Sequence, residues 1–386
     1  MKPIEIIRTL LFKNRTKVSQ DFQECMDFLG QEIPLTVHRY PSGSEYGTWV
    51  IPEEWNVIKA ELTDGERVLA SYTDHPLFLA SYSCAFTGWV SREELMAHVI
   101  TAPNTPDVYP YEYRLGSDYR RRLKEWRIAL PHNLAQSLNE AKYFVDIQVE
   151  TKPGHMLIGD STLKGRDNCT FAFLTHLCHP GQANDGLAGV AVGIEVMKRL
   201  RLEFPEPNHN YQLLIMPETL GSSVYLSDND DLIESYLGSI FIEMPGINSP
   251  IRFGLTRRGN TYVDRVFQHV MTERGTSSTT CAFRDHWGND EYVFDSAGVG
   301  IPGASIERHP FHYYHTSGDN LDVTDEGCLE EIVEILVDAV RVMESDFIPV
   351  PHQKVPIYQT RYDLYADFEN DRAQHDINLG ITDLLW

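Results

Sequence analysis

Two histidines three residues apart, His176 and His179, close a short apolar run (Phe171 to Leu174) in the stretch FAFLTHLCHPGQANDGLAG. Asp185 follows within Asn184-Asp185-Gly186, and a helical pattern then continues to about Leu200. The apolar run reads as a buried strand. Two imidazoles and a carboxylate therefore gather where a strand hands over to a helix, the place where open α/β sheets bind ligands. Imidazole with carboxylate is also the donor set of catalytic zinc sites. A lone histidine is more often structural, but this spacing is harder to assign to packing.

More donors fall at the ends of predicted strands. Glu218 ends YQLLIMPE, Glu243 ends SIFIE, and His315 sits in YYHTSGDN before the last long helix. In a parallel sheet the C-terminal strand ends share one edge, so residues far apart in sequence converge there. His, Asp, Glu, Glu and His on one edge would build a zinc site with room for a second metal. Zinc lowers the pKa of bound water to about 7 and polarises a carbonyl, and a carboxylate can carry the proton to a leaving amine.

The elements that must position these groups come in three stretches. Residues 1 to about 37 carry apolar residues at helical spacing (Ile4, Ile7, Leu11; Phe22, Met26, Leu29). From about Tyr40 to Pro131 short β-prone runs are split by Gly, Pro, Asp and Ser. From Tyr143 strands and helices alternate, beginning with FVDIQVET and ending with CLEEIVEILVDAVRVMES. The expected fold is α/β: a three-layer sandwich with a mixed, mainly parallel sheet. Residues 1–40 and 132–346 would form this discontinuous domain, 41–131 an inserted small β-rich domain, and 347–386 a C-terminal tail. Tyr46, Trp49 and Trp55 of the insertion are expected in a core rather than on a ligand platform.

The 386 residues, 42% hydrophobic, suffice for a sizeable core and contain no membrane-spanning apolar run. The first residues, MKPIEIIRTLLFKNRT, read as an amphipathic helix rather than a signal peptide. Six scattered cysteines without a CxxC pair suggest neither disulfides nor a thiolate zinc site, so a cytoplasmic location is expected. A net charge of −23 argues against nucleic acid or an anionic membrane as partner. A phosphate-binding loop and a G-x-S-x-G elbow are absent. Cys178 beside two histidines resembles a Cys/His nucleophile, but that reading leaves the carboxylates without a task.

In its ordered motifs the chain resembles the zinc aminopeptidases of the M28 type. It carries the strand-terminal His176, Asn184-Asp185-Gly186-Leu187-Ala188-Gly189, Glu218 before Gly221-Ser222, Glu243, and Tyr314-His315-Thr316 with Asp319. Asn289-Asp290-Glu291, Phe294 and Gly300-Ile301-Pro302 resemble the S-D-H-x-x-F…G-x-P stretch of those enzymes. More closely, roughly residues 1 to 345 look like the DUF4910 aminopeptidase-like proteins labelled for polysaccharide biosynthesis, with H-x-C-H-P…N-D, P-E-T-x-G-S and Y-H-T-S-x-D-N motifs.

The resemblance implies one or two zinc ions. Asp185 would bridge, His176 or His179 with Glu243 would complete one site, and Glu218 with His315 the other. Three departures stand out. Pro217 replaces the first of two adjacent glutamates, Cys178 replaces the Asp of His-x-Asp, and Glu243 replaces an Asp. Glu218 is then expected as general base, with a ligand role as the alternative. Arg308 would pair with a substrate carboxylate or form a structural ion pair, and Asp290 and Glu291 would bind a substrate amine or support the site. His309 and His312 could line the pocket, while Asp319 is expected to be an N-cap or a hydrogen-bond partner of the site loop rather than a ligand. The implied function is zinc-dependent hydrolysis of amide bonds in a small peptide-like or N-acyl substrate. The alternatives are a metal-binding scaffold without turnover, or acyl transfer or cyclisation on the same fold. A small-molecule or short-peptide substrate is the expected partner, and a homo-oligomer is compatible.

Overall fold

Most of the apolar runs join one sheet. The computed structural model describes residues 1–112, 125–285, 288–347, 355, 357–367, 369 and 371–384. In chain order its principal strands are β1 (Thr36–Pro41), β2 (Glu54–Thr63), β3 (Val68–Ser71), β4 (Phe86–Ser91), β5 (Lys142–Lys152) and β6 (His155–Leu163). They continue with β7 (Thr170–His176), β8 (Asn210–Met216), β9 (Tyr236–Glu243), β10 (Ile251–Gly254), β11 (Ser278–Cys281) and β12 (Gly303–Arg308). Residues Met1–Val340 form one compact unit and Arg341–Trp386 another.

The main sheet has the order β1-β6-β8-β7-β9-β12-β10-β11. Its centre, β8-β7-β9-β12, is parallel, and β1, β6 and β10 are antiparallel to their inner neighbours. β8 and β12 are buried along their whole length. Continuous apolar runs of this kind are what a parallel sheet covered on both faces requires. On one face Ala172, Leu174, Leu214 and Phe241 pack with Leu220, Val224 and Phe294 from the helices Leu220–Asp228 and Asp290–Phe294. On the other, Phe171 and Phe253 meet Phe267 of the helix Tyr262–Glu273. The expected three-layer α/β architecture is what the chain forms.

The second sheet, β3-β2-β5-β4, is antiparallel. It covers a separate core that includes Trp55, Leu62, Phe78, Val90, Tyr143, Val145 and Ile147. β5 corrects one expectation: read above as the first strand of the alternating α/β set, it lies between β2 and β4. Its alternation explains this, because Tyr143, Val145 and Ile147 face the core while Gln148 and Glu150 do not share their burial. That period belongs to a half-covered antiparallel strand, not to a strand buried on both faces. Trp55 is in the core, its indole N–H donating to Ser83 O at 3.0 Å.

Among its described residues, the unit from Arg341 onward holds the end of the helix Glu326–Ser345, a 3-10 turn at Gln359–Tyr362 and the helix Arg372–Leu384. Among the described residues no helix is long and apolar enough to cross a membrane.

Candidate metal centre

The parallel strands deliver their C-terminal ends to one edge. His176 is the last residue of β7, Glu243 the last of β9, and Glu218 lies two residues past β8. Asp185 comes from the loop before the helix Gly189–Glu203, and His315 from the loop after β12. The chain must turn sharply to present these groups. Gly186, Thr219, Met244 and His315 have φ of 83°, 61°, 43° and 56°. Left-handed backbone costs a non-glycine residue roughly 1–3 kcal/mol, and such strain concentrates at functional sites. Gly186 has no alternative, since a Cβ there would sit 2.6 Å from His176 Cε1. Gly189 is equally fixed, with Ile242 O 2.3 Å from where its Cβ would lie.

Side chains from these segments meet around Asp185. His176 Nε2 lies 2.7 Å from Glu243 Oε2 and 3.5 Å from Asp185 Oδ1. His315 Nε2 lies 3.1 Å from Asp185 Oδ2, without the direction of a hydrogen bond. Two triads of donor atoms result, each within 4.8 Å: His176, Asp185 and Glu243, and His179, Asp185 and His315. Both histidines of the pair thus enter the site. Glu218 groups instead with His176, Cys178 and His179, its Oε2 3.7 Å from His179 Nε2. The resemblance had placed Glu218 beside His315 and Asp185; the structure brings His179 there. Imidazole nitrogens and carboxylate oxygens converging at this spacing, with Asp185 Oδ2 buried and lacking a directed donor, fit one or two zinc-like cations.

A supporting layer fixes the loops. Asp319 accepts from Asn184 N (2.8 Å), Asn184 Nδ2 (3.1 Å) and Asp185 N (2.8 Å), as the Y-H-T-S-G-D motif suggested. Arg15, fully buried, donates to Leu10 O, Leu177 O and Gln182 O at 3.2, 2.8 and 3.0 Å, bracing the His-Pro-Gly loop from below. Asp290 accepts from Thr219 N at 2.9 Å and from the Ser222 hydroxyl, holding the turn that carries Glu218. Tyr111 sets its ring edge against both His179 and His315, each 5.1 Å between centroids, and its N–H donates to His315 O at 2.8 Å. Ser317 N donates to Tyr109 O at 2.8 Å, so residues 109–111 run along the His315 loop.

Electrostatics follow from burying so many acids and imidazoles together. Burial alone would raise Asp185, but His179, His315 and His176 outweigh it and hold this carboxyl well below the usual range. Burial lifts Glu243 to about 7, against the pull of His176. Burial depresses His176, yet Glu243 overrides it and the ring is held well above its ordinary value. His179 is pushed well below the usual imidazole value by burial and by His176 and His315. Burial lifts Asp290 and Asp319 to about 7 and Glu291 to about 8.

The expected substrate groups are differently employed. Arg308 is buried, and its N–H groups reach Pro245 O, Ser249 O, Cys328 O and the Glu331 carboxylate. A guanidinium so engaged is not presented to a substrate carboxylate, which corrects that expectation. The Glu291 carboxylate accepts from Asn289 N at 3.1 Å, inside the protein. Arg15 and Tyr111 escaped the sequence reading. Neither lies near a motif, and each reaches the site only through the fold.

The sheet has the fold seen in zinc aminopeptidases. Residues 4–346 match the family described as Domain of unknown function (DUF4910), and the chain belongs to that family. A Clostridium acetobutylicum protein with the provisional description of polysaccharide biosynthesis protein with aminopeptidase-like domain is 27% identical over 336 residues. The match covers 86% of this chain and 75% of that one. Among solved structures, a C. acetobutylicum protein provisionally described as a peptidase has a TM-score of 0.84 at 24% identity, covering 94% of this chain and 86% of its own. A zinc aminopeptidase from Bacillus subtilis has a TM-score of 0.63 at 13% identity, covering 88% and 94%. At these identities the structural likeness establishes the fold alone.

Proposed function

We propose that this chain is a metal-dependent hydrolase of amide bonds, an aminopeptidase or amidase acting on a small peptide-like or N-acyl compound. The observation that supports it is the convergence of two donor triads on one buried carboxylate, Asp185. His176, Asp185 and Glu243 would hold one zinc, and Asp185 with His315 would offer donors to a second. Zinc would supply Lewis acidity toward the scissile carbonyl and activate water. Glu218 stands outside both Asp185 triads, beside them, where it can take a proton from water and pass it to the leaving amine. Pro217 occupies the place of a second glutamate, so this carboxylate has no neighbour to share the task. Tyr111 lies against the His179 and His315 rings, and a small substrate is the class that would share that space with it. The description of the C. acetobutylicum relative makes an N-acylated or aminoacylated biosynthetic intermediate a reasonable first choice.

The test pairs zinc content with product mass across a panel of aminoacyl amides and N-acyl sugars. Bound zinc and products that have gained water support hydrolysis. Products without added water indicate transfer or cyclisation, and zinc without turnover indicates a binding role. Absence of zinc from protein purified and dialysed in zinc would overturn the reading.

A further inference from the structure

His176 and His179 face each other through like atoms, Nδ1 to Nδ1 at 2.9 Å. A neutral imidazole has one N–H, and a ring that ligates a metal through Nε2 keeps its proton on Nδ1. If both rings ligated through Nε2, two N–H groups would meet head-on at that contact. The pair therefore admits one donor and one acceptor. The ring whose Nε2 faces two carboxylates is His176, with Glu243 Oε2 at 2.7 Å and Asp185 Oδ1 at 3.5 Å. Gly186 lies beside the same ring, where a Cβ would sit 2.6 Å from His176 Cε1 and 2.7 Å from His176 Nδ1.

We propose that His179 is a positioning residue and not a metal ligand. It accepts the Nδ1–H of His176 and so fixes the tautomer and angle of that ring. Resting on the metal reading above, this gives His179 the task left open by Cys178, which stands where a His-x-Asp motif has its carboxylate. Cys178 is used otherwise: its sulfur accepts from Glu218 N at 3.2 Å and lies 3.7 Å from His179 Nδ1. With Nδ1 accepting, the His179 proton sits on Nε2, 3.7 Å from Glu218 Oε2. One imidazole then lies between the metal-facing histidine and the general base.

The rival is ligation by His179 through Nε2 together with Asp185 and His315. Asparagine and glutamine separate the two, because an asparagine amide falls near the place of Nδ1 and a glutamine amide near that of Nε2. Zinc affinity and saturating stoichiometry would be measured on full-length protein by chelator competition, and the visible spectrum after cobalt(II) substitution recorded. H179N should keep the wild-type stoichiometry, cobalt spectrum and near wild-type affinity. H179Q and H179A should bind ~10–100-fold more weakly with unchanged stoichiometry, as loss of an orienting partner does. Loss of one zinc per chain in H179N, with H179Q retaining it, would make His179 a ligand and overturn the proposal, as would three variants indistinguishable from wild type. Wild-type protein that takes up no zinc would instead remove the metal reading, whatever the variants do.

Discussion

His176 and Glu243 end neighbouring strands of a sheet buried on both faces, whereas His179 and His315 ride on loops. The His176 and Glu243 side chains are 1% and 6% exposed; that of His315 is 21% exposed. His315 also holds a left-handed backbone, and its carbonyl accepts from Tyr111. The strand-borne half is thus positioned by the hydrogen-bond ladder of the sheet itself. The loop-borne half depends on remote contacts, Arg15 beneath one loop and residues 109–111 along the other. Asp185 joins the halves, and its own position is fixed by Asp319.

The largest effect is expected at that joint. D185N should lose zinc from both halves and lower turnover by ~10³-fold or more, with elemental analysis as the check. Retention of a full zinc complement would show that Asp185 is not shared. E218Q lies outside both triads, so it should keep its zinc while turnover falls ~10²–10⁴-fold. A loss of zinc in E218Q would instead make Glu218 a ligand. Arg15 tests the loop-borne half: R15M leaves three buried carbonyls without their donor and should cost about 2–4 kcal/mol in urea unfolding. A cost below about 0.5 kcal/mol, the scale of ordinary surface changes, would show that the brace is dispensable.

Metal-free protein offers a gentler probe through pH. Burial raises Asp290 and Asp319 to about 7 and Glu291 to about 8, from ordinary values near 4. The folded chain therefore binds more protons than the unfolded chain across that window. Their stabilisation is complete below about pH 4 and is lost as pH rises through about 7 to 8. Urea midpoints should fall between pH 5 and pH 8.5, and E291Q should flatten part of that slope. A midpoint that rises over the window would contradict this. The smallest effect belongs to Y111A, which should weaken zinc at the His315 half ~10-fold, the lower end of the range for outer contacts of metal sites, and leave the His176 half unchanged. Equal weakening of both halves would erase the distinction between them.

Much of the site was legible in the chain because its donors sit next to strong local signals. His176 and Glu243 terminate continuous apolar runs, Asp185 sits between a glycine and a helix start, and His315 precedes a long amphipathic helix. β5 was misplaced because strand character is local while sheet membership is not. The short β10, β11 and the helix Asp290–Phe294 carry too few residues to show a period. Arg308 looked available because a sequence cannot display the carbonyls of Pro245, Ser249 and Cys328 around it.

By itself the sequence determined which donors exist and the edge to which they go, since apolar runs of this length and order fold into a parallel sheet with its C-terminal ends aligned. Tertiary structure decided how the donors pair: His179 with Asp185 and His315 in one triad, Nδ1 to Nδ1 against His176, Arg15 beneath and Tyr111 above. Those pairings depend on angles and separations of a few ångströms between segments as far apart as Arg15 and Leu177. Packing of the whole molecule sets such distances, and no local pattern encodes them.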